Sequence, residues 1–321
     1  MAIDSKELDD LMPNTELNWT DEAQERMKNV PFFVRKAVVR GIEQYAKDKS
    51  LEVVDDAVVS RARQEREGAA VQNAQAKRAA EAKAKAGDGE KEIKRQYVNF
   101  CFYKLDPAFR RLPEAEKEKG KKEFLDVLED YDTNDDMIVL SYSMVGIRAD
   151  TDIMLWRISY ELEKFQEMST RIFKTGLGKY LNTTYSYLSQ TKRSMYQDML
   201  NPEHEEDRTH IIPGKAKYLF IYPFVKTREW YLLTQFSRQG IMDEHIFIGN
   251  KYPSVKLNTS YSFGIDDNEF VVAFETDYPS DFVDLVMDLR ETQGSLYVKE
   301  DTPIFTCIAQ SLEDAVNSLG C

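Results

Sequence analysis

The chain has 321 residues, with 43 Lys+Arg against 56 Asp+Glu and a formal charge of −13; this excludes a single small module and leaves room for two domains. Hydrophobic residues at 42% and aromatics at 12% can bury a sizeable core, so a wholly disordered chain is excluded too. The excess of acid repels phosphate backbones and predicts no nucleic-acid partner.

The opening MAIDSKELDDLMPN is acidic and polar, with neither a basic nor an apolar region. No later stretch reaches the roughly 18 apolar residues of a membrane span, so the sequence predicts neither an export signal nor an anchor. Cys101, Cys307 and Cys321 lack metal-ligand spacing and are too few to staple the chain, which fits a reducing cytoplasm. In LNWTDEAQERMKNV a helix starts at Thr20, with Asp21 and Glu22 well placed in its first turn. Pro31 begins a second helix, whose buried face is read from Val34, Ala37, Val38, Ile42 and Tyr45 at 3/4 spacing. Asp55 or Asp56 caps a third. Residues 1–66 therefore form a small all-α domain, marginal by size. From Gly68 to Lys85 the chain is rich in Ala with interspersed Lys and Glu, favouring helix without an apolar stripe. Residues 67–95 are thus read as a helical linker.

Downstream the pattern changes. YVNFCFYKL (97–105) reads as a strand, PAFRRLPEAEKEKGKKEFLDVLEDY as a helix, MIVLSYSMVG and TDIMLWRIS as strands, LEKFQEMSTRIF as a helix and LNTTYSYLSQT as a strand. After a turn-rich stretch the order recurs: strand YLFIYPFV, a helix from near Arg228 to Gly249, strands VKLNTSYSF and EFVVAFET, helix SDFVDLVMDLRET, and a strand at SLYV. Tyr142-Ser143-Met144-Val145-Gly146 and Tyr261-Ser262-Phe263-Gly264 echo one another, each ending a strand before an acidic turn. Two βαββαβ copies, about 96–195 and 214–312, imply an α+β domain at 96–321. It is a duplicated ferredoxin-like unit whose sheets join into a dimeric α+β barrel. A ligand pocket is expected between sheet and helix.

Histidine occurs only at 204, 210 and 245. Helical steps from Tyr231 place Gln235, Arg238, Met242, His245 and Gly249 on one line. A glycine one turn from an imidazole leaves space for a flat group. A helical histidine facing an apolar sheet is a good one-sided ligand for haem iron, although a helical histidine beside Met and Ile is more commonly a core or surface residue.

Taken together, YPFVKTREWYLL (222–233), RQGIMDEHIFIGNKY (238–252) and SFGIDDNEFVVAFETD (262–277) resemble the chlorite dismutase and coproheme decarboxylase family, over about residues 97–312. The resemblance implies a porphyrin ligand, haem b or coproheme, with His245 binding the iron and Met242 and Gly249 completing the M-x-x-H-x-x-x-G pattern. It also implies a redox-active Tyr222, a propionate-side Lys226, and Trp230 and Tyr231 beside the porphyrin. The arginine that chlorite dismutases need after the histidine falls on Leu257 or Asn258, so chlorite dismutation is not expected. The acidic partner of the histidine falls on Gln293 or Gly294, with Glu291 nearby, and the propionate-binding arginine ahead of the Tyr-Pro strand falls on His210 or on no residue. Homo-oligomers are typical of the family. Separately, Trp19, Pro31-Phe32-Phe33-Val34-Arg35, Arg40, Glu43 and Tyr45-Ala46 resemble the carboxyl-terminal domain of the B subunit of light-independent protochlorophyllide reductase, suggesting a partner in tetrapyrrole metabolism. Three readings follow: a haem-dependent oxidoreductase of peroxidase type, a non-catalytic tetrapyrrole carrier or sensor, and a haem-free interaction module.

Overall fold

The computed structural model describes residues 15–30, 32–65, 94–133, 137–196 and 210–320. The Ala-rich stretch at 68–85 lies outside the described residues. The chain divides into two compact units, Met1–Lys91 and Glu92–Cys321.

In the first unit, β1 (Asn18–Trp19) leads into α1 (Asp21–Lys28) and α2 (Phe32–Asp48); β2 (Val53–Val54) follows, then α3, helical from 56 to at least 65. Thr20 caps α1 by accepting from Ala23 N, and Asp55 caps α3 by accepting from Val58 N at 2.7 Å. The short parallel β1–β2 pairing is an addition to the expected all-helical unit. The buried face of α2 also differs from the expected one. Val39, Ile42, Glu43 and Ala46 are buried, whereas Ala37 is exposed and Val38 and Tyr45 are only partly covered. The rotation has a polar cause: Glu43 Oε1 turns inward to accept from Glu16 N, Leu17 N and Trp19 Nε1 at 2.8, 3.1 and 3.2 Å. The carboxylate thus fastens the strand segment onto α2 beside a core of Trp19, Ala23, Met27, Val54, Val58 and Val59.

The second unit is a duplicated ferredoxin-like fold. Its first half is β3 (Tyr97–Leu105), α4 (Glu114–Thr133), β4 (Ile138–Ser143), β5 (Ile153–Ser159), α5 (Leu162–Ile172) and β6 (Leu181–Gln190). The second runs β7 (Tyr218–Lys226), α6 (Arg228–Leu232), α7 (Gln235–Gly249), β8 (Lys256–Tyr261), β9 (Phe270–Thr276), α8 (Pro279–Arg290), β10 (Val298–Glu300) and β11 (Phe305–Gln310), and α9 (Leu312–Asn317) follows. Both halves share one strand order, β4-β5-β3-β6 and β8-β9-β7-β11. β6 pairs with β8, β11 with β4, and β7 with β9, so eight antiparallel strands close on themselves. The fourth strand of the second half is therefore β11, whereas SLYV forms a 3₁₀ turn (Gln293–Tyr297) that leads into the short β10.

Alternation along the strands sorts side chains into layers. Phe100, Phe102, Trp156, Leu219, Ile221, Val271 and Phe305 fill the barrel. Tyr103, Leu105 and Leu155 face outward in the first half, under Phe124 and Leu128 of α4 and Phe165 and Met168 of α5. β5 is buried on both faces, which explains the apolar run Ile153–Trp156 that opens it. The outer layer of the second half is thinner, centred on Phe220, Phe274, Phe282 and Leu285. Helices α4, α5 and α8 all bury side chains, but α7 buries none.

Replacing Glu43 with Ala would leave three N–H donors without an acceptor in a partly dry site. The expected loss is about 2–3 kcal/mol from the first unit. Urea unfolding with hydrogen exchange along α2 checks this, and Glu43→Gln, which keeps an acceptor oxygen, should lose less.

Candidate functional site

The sheet's outer face beside α7 is built by register. Tyr218, Phe220 and Tyr222 of β7 point outward into the second-half cluster, while Leu219 and Ile221 point into the barrel. Tyr222 pairs with Val272 of β9, which in turn pairs with Thr259 of β8. Leu257 lies two residues back along β8, opposite Phe274, on the same outer face. Asn258 points the other way; it is buried and donates from Nδ2 to Glu275 Oε1 at 2.8 Å. Of the two residues that fell at the position of the missing arginine, Leu257 is thus the one facing the helix side.

The stretch expected as one helix from Arg228 to Gly249 is two. α6 ends at Leu232, Leu233 is extended, and Thr234 caps α7 by accepting from Ser237 N at 3.2 Å. Tyr231 consequently leaves the helical line that Arg238, Met242, His245 and Gly249 keep. Along α7, Ile248 packs on the outer cluster, Glu244 accepts from Gln293 N at 2.9 Å, and Ile241 faces Gly294. These contacts tie one side of the helix to the turn after α8. The line carrying His245 is rotated by roughly 100° from that side. A Cβ placed on Gly249 or Gly240 would meet no heavy atom within 4 Å, so both glycines border open space. His245 itself is partly covered.

At the far end of β7, Lys226 is held between aromatic rings. Its Nζ lies 4.5 Å from the Trp230 ring centre and 5.2 Å from that of Phe224, and it donates to Gly294 O at 3.2 Å. Burial pushes its ammonium down to about 8, against the pull of Glu269. Trp230 is 3% exposed and also packs on Tyr297 and Tyr196, at 5.4 and 6.3 Å between ring centres. Tyr231 turns elsewhere, donating its hydroxyl to Glu269 and meeting Phe263 edge-on at 6.0 Å. Glu269 also accepts from Lys226 N at 2.8 Å, so it fastens β7, α6 and β9 together. Tyr222 stacks on Phe274 at 5.9 Å. Burial and then the charge of Asp301 push its phenol up, with Arg290 acting against them, so the hydroxyl stays protonated across the neutral range. Arg290 and Asp301 form an ion pair.

The structure therefore gathers Tyr222 and Leu257 on one sheet face, Met242, His245 and Gly249 on α7, and Lys226 with Trp230 at the end of β7. It separates Tyr231 from them. Glu291 is exposed at the end of α8, and Gly294 uses its carbonyl on Lys226. Sequence reasoning assigned no role to Glu269, Tyr196 or the Arg290–Asp301 pair. The signal for Glu269 was present: Asp152 stands just before β5 as Glu269 stands before β9, and accepts from Leu105 N at 2.9 Å as Glu269 does from Lys226 N.

Among the described residues no group of three or more His, Cys, Asp or Glu could hold a metal ion. One imidazole beside open space suits instead a metal whose other positions are filled by a macrocycle. A further sign that a group is to be accommodated is Arg238 Nε, which is buried on the same helical line without a hydrogen-bond partner.

Comparison with known proteins agrees with this architecture. The family model for chlorite dismutase matches residues 117–310, and the chain belongs to that family. A coproheme decarboxylase from Mycolicibacterium smegmatis is 31% identical over 184 residues, covering 56% of this chain and 75% of that protein. One from Staphylococcus carnosus is 30% identical over 211 residues, covering 60% and 83%. Among solved structures, a variant of the chlorite dismutase from Candidatus Nitrospira defluvii superposes with a TM-score of 0.64 at 22% identity, covering 70% of this chain and 95% of that one. A haem-binding protein from Thermus thermophilus gives 0.61 at 23% identity, covering 70% and 95%. In the first unit, residues 19–63 match the family model for the proto-chlorophyllide reductase 57 kD subunit. No helix among the described residues is long and apolar enough to cross a membrane.

The buried Lys226 gives the ligand-free protein a pH signature. Its folded-state pKa, about 8, lies below the ordinary value of 10.5, so folding costs free energy wherever the lysine is charged. That cost is complete below pH 8. It fades as pH rises from 8 to 10.5, where the unfolded chain holds the extra proton. Lys226→Met should therefore stabilise the ligand-free protein by about 1–2 kcal/mol at pH 7 and lose most of that gain by pH 10. Urea unfolding at the two pH values tests this; equal gains would mean that packing alone is responsible.

Proposed function

We propose that the second unit binds a haem-type tetrapyrrole, haem b or coproheme, between α7 and the outer face of β7, β8 and β9, with His245 as the ligand to its iron. One observation carries the reading above the others: α7 buries none of its side chains, and its histidine lies one turn from a glycine that borders open space. The coproheme decarboxylases at about 30% identity supply independent support. Met242 and Gly249 flank the imidazole, Trp230 walls the lysine end, and Leu257 contributes an apolar surface that excludes water. Tyr231 serves by fixing Glu269, and through it the end of β7.

The proposed activity is that of a peroxidase-type oxidoreductase acting in tetrapyrrole metabolism. When bound, the group would supply peroxide-driven one-electron oxidation. Tyr222 Oη carries a proton at neutral pH and lies on the same face as Leu257, so its phenol can give up an electron and that proton together. After burial, Asp301 and Arg290 are the charges that act on it, in opposite directions. Lys226 Nζ has one carbonyl partner and two aromatic neighbours, leaving donors for a carboxylate. Chlorite dismutation is not proposed, because Leu257 offers no cation to hold an oxyanion.

The second reading, a tetrapyrrole carrier or sensor, is favoured by the same Leu257 and by the lack of an acid at Gln293 and Gly294. Self-association and a partner in the tetrapyrrole pathway belong to the proposal as well, the latter on the likeness of residues 19–63.

Adding iron coproporphyrin or haem b to the whole protein should produce a Soret band that His245→Ala abolishes or strongly shifts; an unchanged spectrum in the variant would remove His245 from the site. Peroxide titration should convert the bound porphyrin, and Tyr222→Phe should slow that conversion by about 100-fold or more without weakening binding. Porphyrin that survives peroxide and passes intact to an acceptor would favour the carrier.

A further inference from the structure

We infer that Arg238, with the phenol of Tyr196 beside it, forms a carboxylate site at the rim of the α7 cleft that takes a propionate side chain of the tetrapyrrole; this rests on the haem reading above. Arg238 precedes His245 by seven residues, two turns on the same helix line. Its Cα stands roughly 10 Å along the axis from that of the histidine, comparable to the distance from a porphyrin's centre to its acidic side chains. A guanidinium stays charged at every physiological pH, and its five N–H groups need acceptors. Among the described residues no carboxylate pairs with Arg238, and its buried Nε has no partner.

The neighbour shown beside the guanidinium is a neutral phenol. Burial pushes the Tyr196 phenol up, while the charge of Arg238 and a hydrogen bond with Trp230 act against it, which places all three groups close together. The first turn of α7 contains no acid, Glu244 is engaged by Gln293 N, and Asp243 accepts from Gln239 Nε2 at 2.7 Å. A guanidinium, a phenol and an indole converging without an acid leave a place for an anion with two planar oxygens, and a carboxylate fits such a fork in bidentate fashion. Lys226 stands on the face of the same indole, 4.5 Å from its centre, and Tyr196, which senses the Arg238 charge, packs against that indole too, at 6.3 Å between ring centres. Arg238 is thus a binding residue, and it supplies the cation that the sequence lacks ahead of the Tyr-Pro strand.

The test is a pair of spectral titrations, with iron coproporphyrin and with its fully methyl-esterified form, on the wild type, Arg238→Gln, Arg238→Lys and Tyr196→Phe, each checked for folding by circular dichroism. The wild type should prefer the free acid. Arg238→Gln should lose roughly tenfold in affinity for the acid and little for the ester. Arg238→Lys should recover part of the loss, and Tyr196→Phe should lose a smaller share, again for the acid alone. Equal weakening of acid and ester binding, or undiminished acid binding in Arg238→Gln, would overturn the inference. If Arg238→Gln fails to fold, Arg238→Lys and Tyr196→Phe decide it by the same acid-against-ester comparison. A wild type that gives no Soret band with either ligand rejects the haem reading itself, whereas a band without acid preference rejects only the carboxylate site.

Discussion

The candidate site depends on a helix that does not settle onto its sheet. In a ferredoxin-like half each helix ordinarily covers one face of the strands, and α4 and α5 do so with Phe124, Leu128, Phe165 and Met168. α7 occupies the place equivalent to α4 and buries nothing. It is held instead at its edges, by Ile248 on the outer cluster and by Glu244 and Ile241 on the turn around Gln293 and Gly294. Tyr222, Leu257 and Val272 of the outer sheet face are only partly covered, and apolar surface left in that state costs hydrophobic free energy unless something else lies on it. The residues on α7 and on the sheet face and strand end beside it suit a flat aromatic ligand: a glycine-flanked imidazole, a tyrosine stacked on phenylalanine, a leucine, and a tryptophan with a lysine on its ring face.

Duplication explains how the site could arise without loss of the barrel. The halves share their strand order and their fastening devices. Asp152 ties the start of β5 to Leu105 at the end of β3, and Glu269 ties the start of β9 to Lys226 at the end of β7. Gly146 and Gly264 adopt the left-handed region, with φ of 77° and 76°, at the equivalent turns after β4 and β8. Against this common frame the second half departs at the end of β7 and before β9. Leu105 in the first half corresponds to Lys226 in the second, and Glu269 takes on an added task in holding Tyr231. The first half supplies the dense layer and the second supplies the opening.

Much of this was legible in the sequence because it rests on local patterns. Alternation marked β3 to β9 to within a residue or two at most ends, and Thr20 and Asp55 acted as caps. The failures have physical sources. Phe305–Gln310 mixes polar and apolar residues behind Pro303, while the apolar letters of SLYV drew the strand assignment to a turn. Leu233 and Thr234 contain no Gly or Pro, yet the Thr234 side chain caps a new helix and removes Tyr231 from the predicted line. On α2 the apolar periodicity alone pointed to Ala37, Val38 and Tyr45, because no count of apolar residues anticipates a glutamate turned inward to collect three N–H groups; the side chain of Val34 lies outside the described residues. For the candidate site, spacing set Met242, His245 and Gly249 on one helical line, as α7 keeps them, but gave no sign of the orphaned Nε of Arg238 or the position of Tyr196, which depend on residues distant in sequence.

The choice between Leu257 and Asn258 shows what register decides. Spacing from His245 and from Gly264 gave different answers, and a slip of one residue in a strand moves each side chain to the opposite face. Pairing of Leu257 with Phe274 and of Thr259 with Val272 fixes β8, and the bond from Asn258 to Glu275 would be lost in the alternative register. The sheet face thereby keeps an apolar side chain where the family resemblance puts an arginine, while the phenol of Tyr222 and the Lys226 ammonium on the Trp230 ring remain. Stabilisation of bound oxyanions is removed by that arrangement; recognition of an acidic, planar ligand and a phenolic O–H at its side are not. On the proposed haem reading, the residues of this face therefore suit chemistry at a porphyrin's periphery more than the holding of a small anion on its metal.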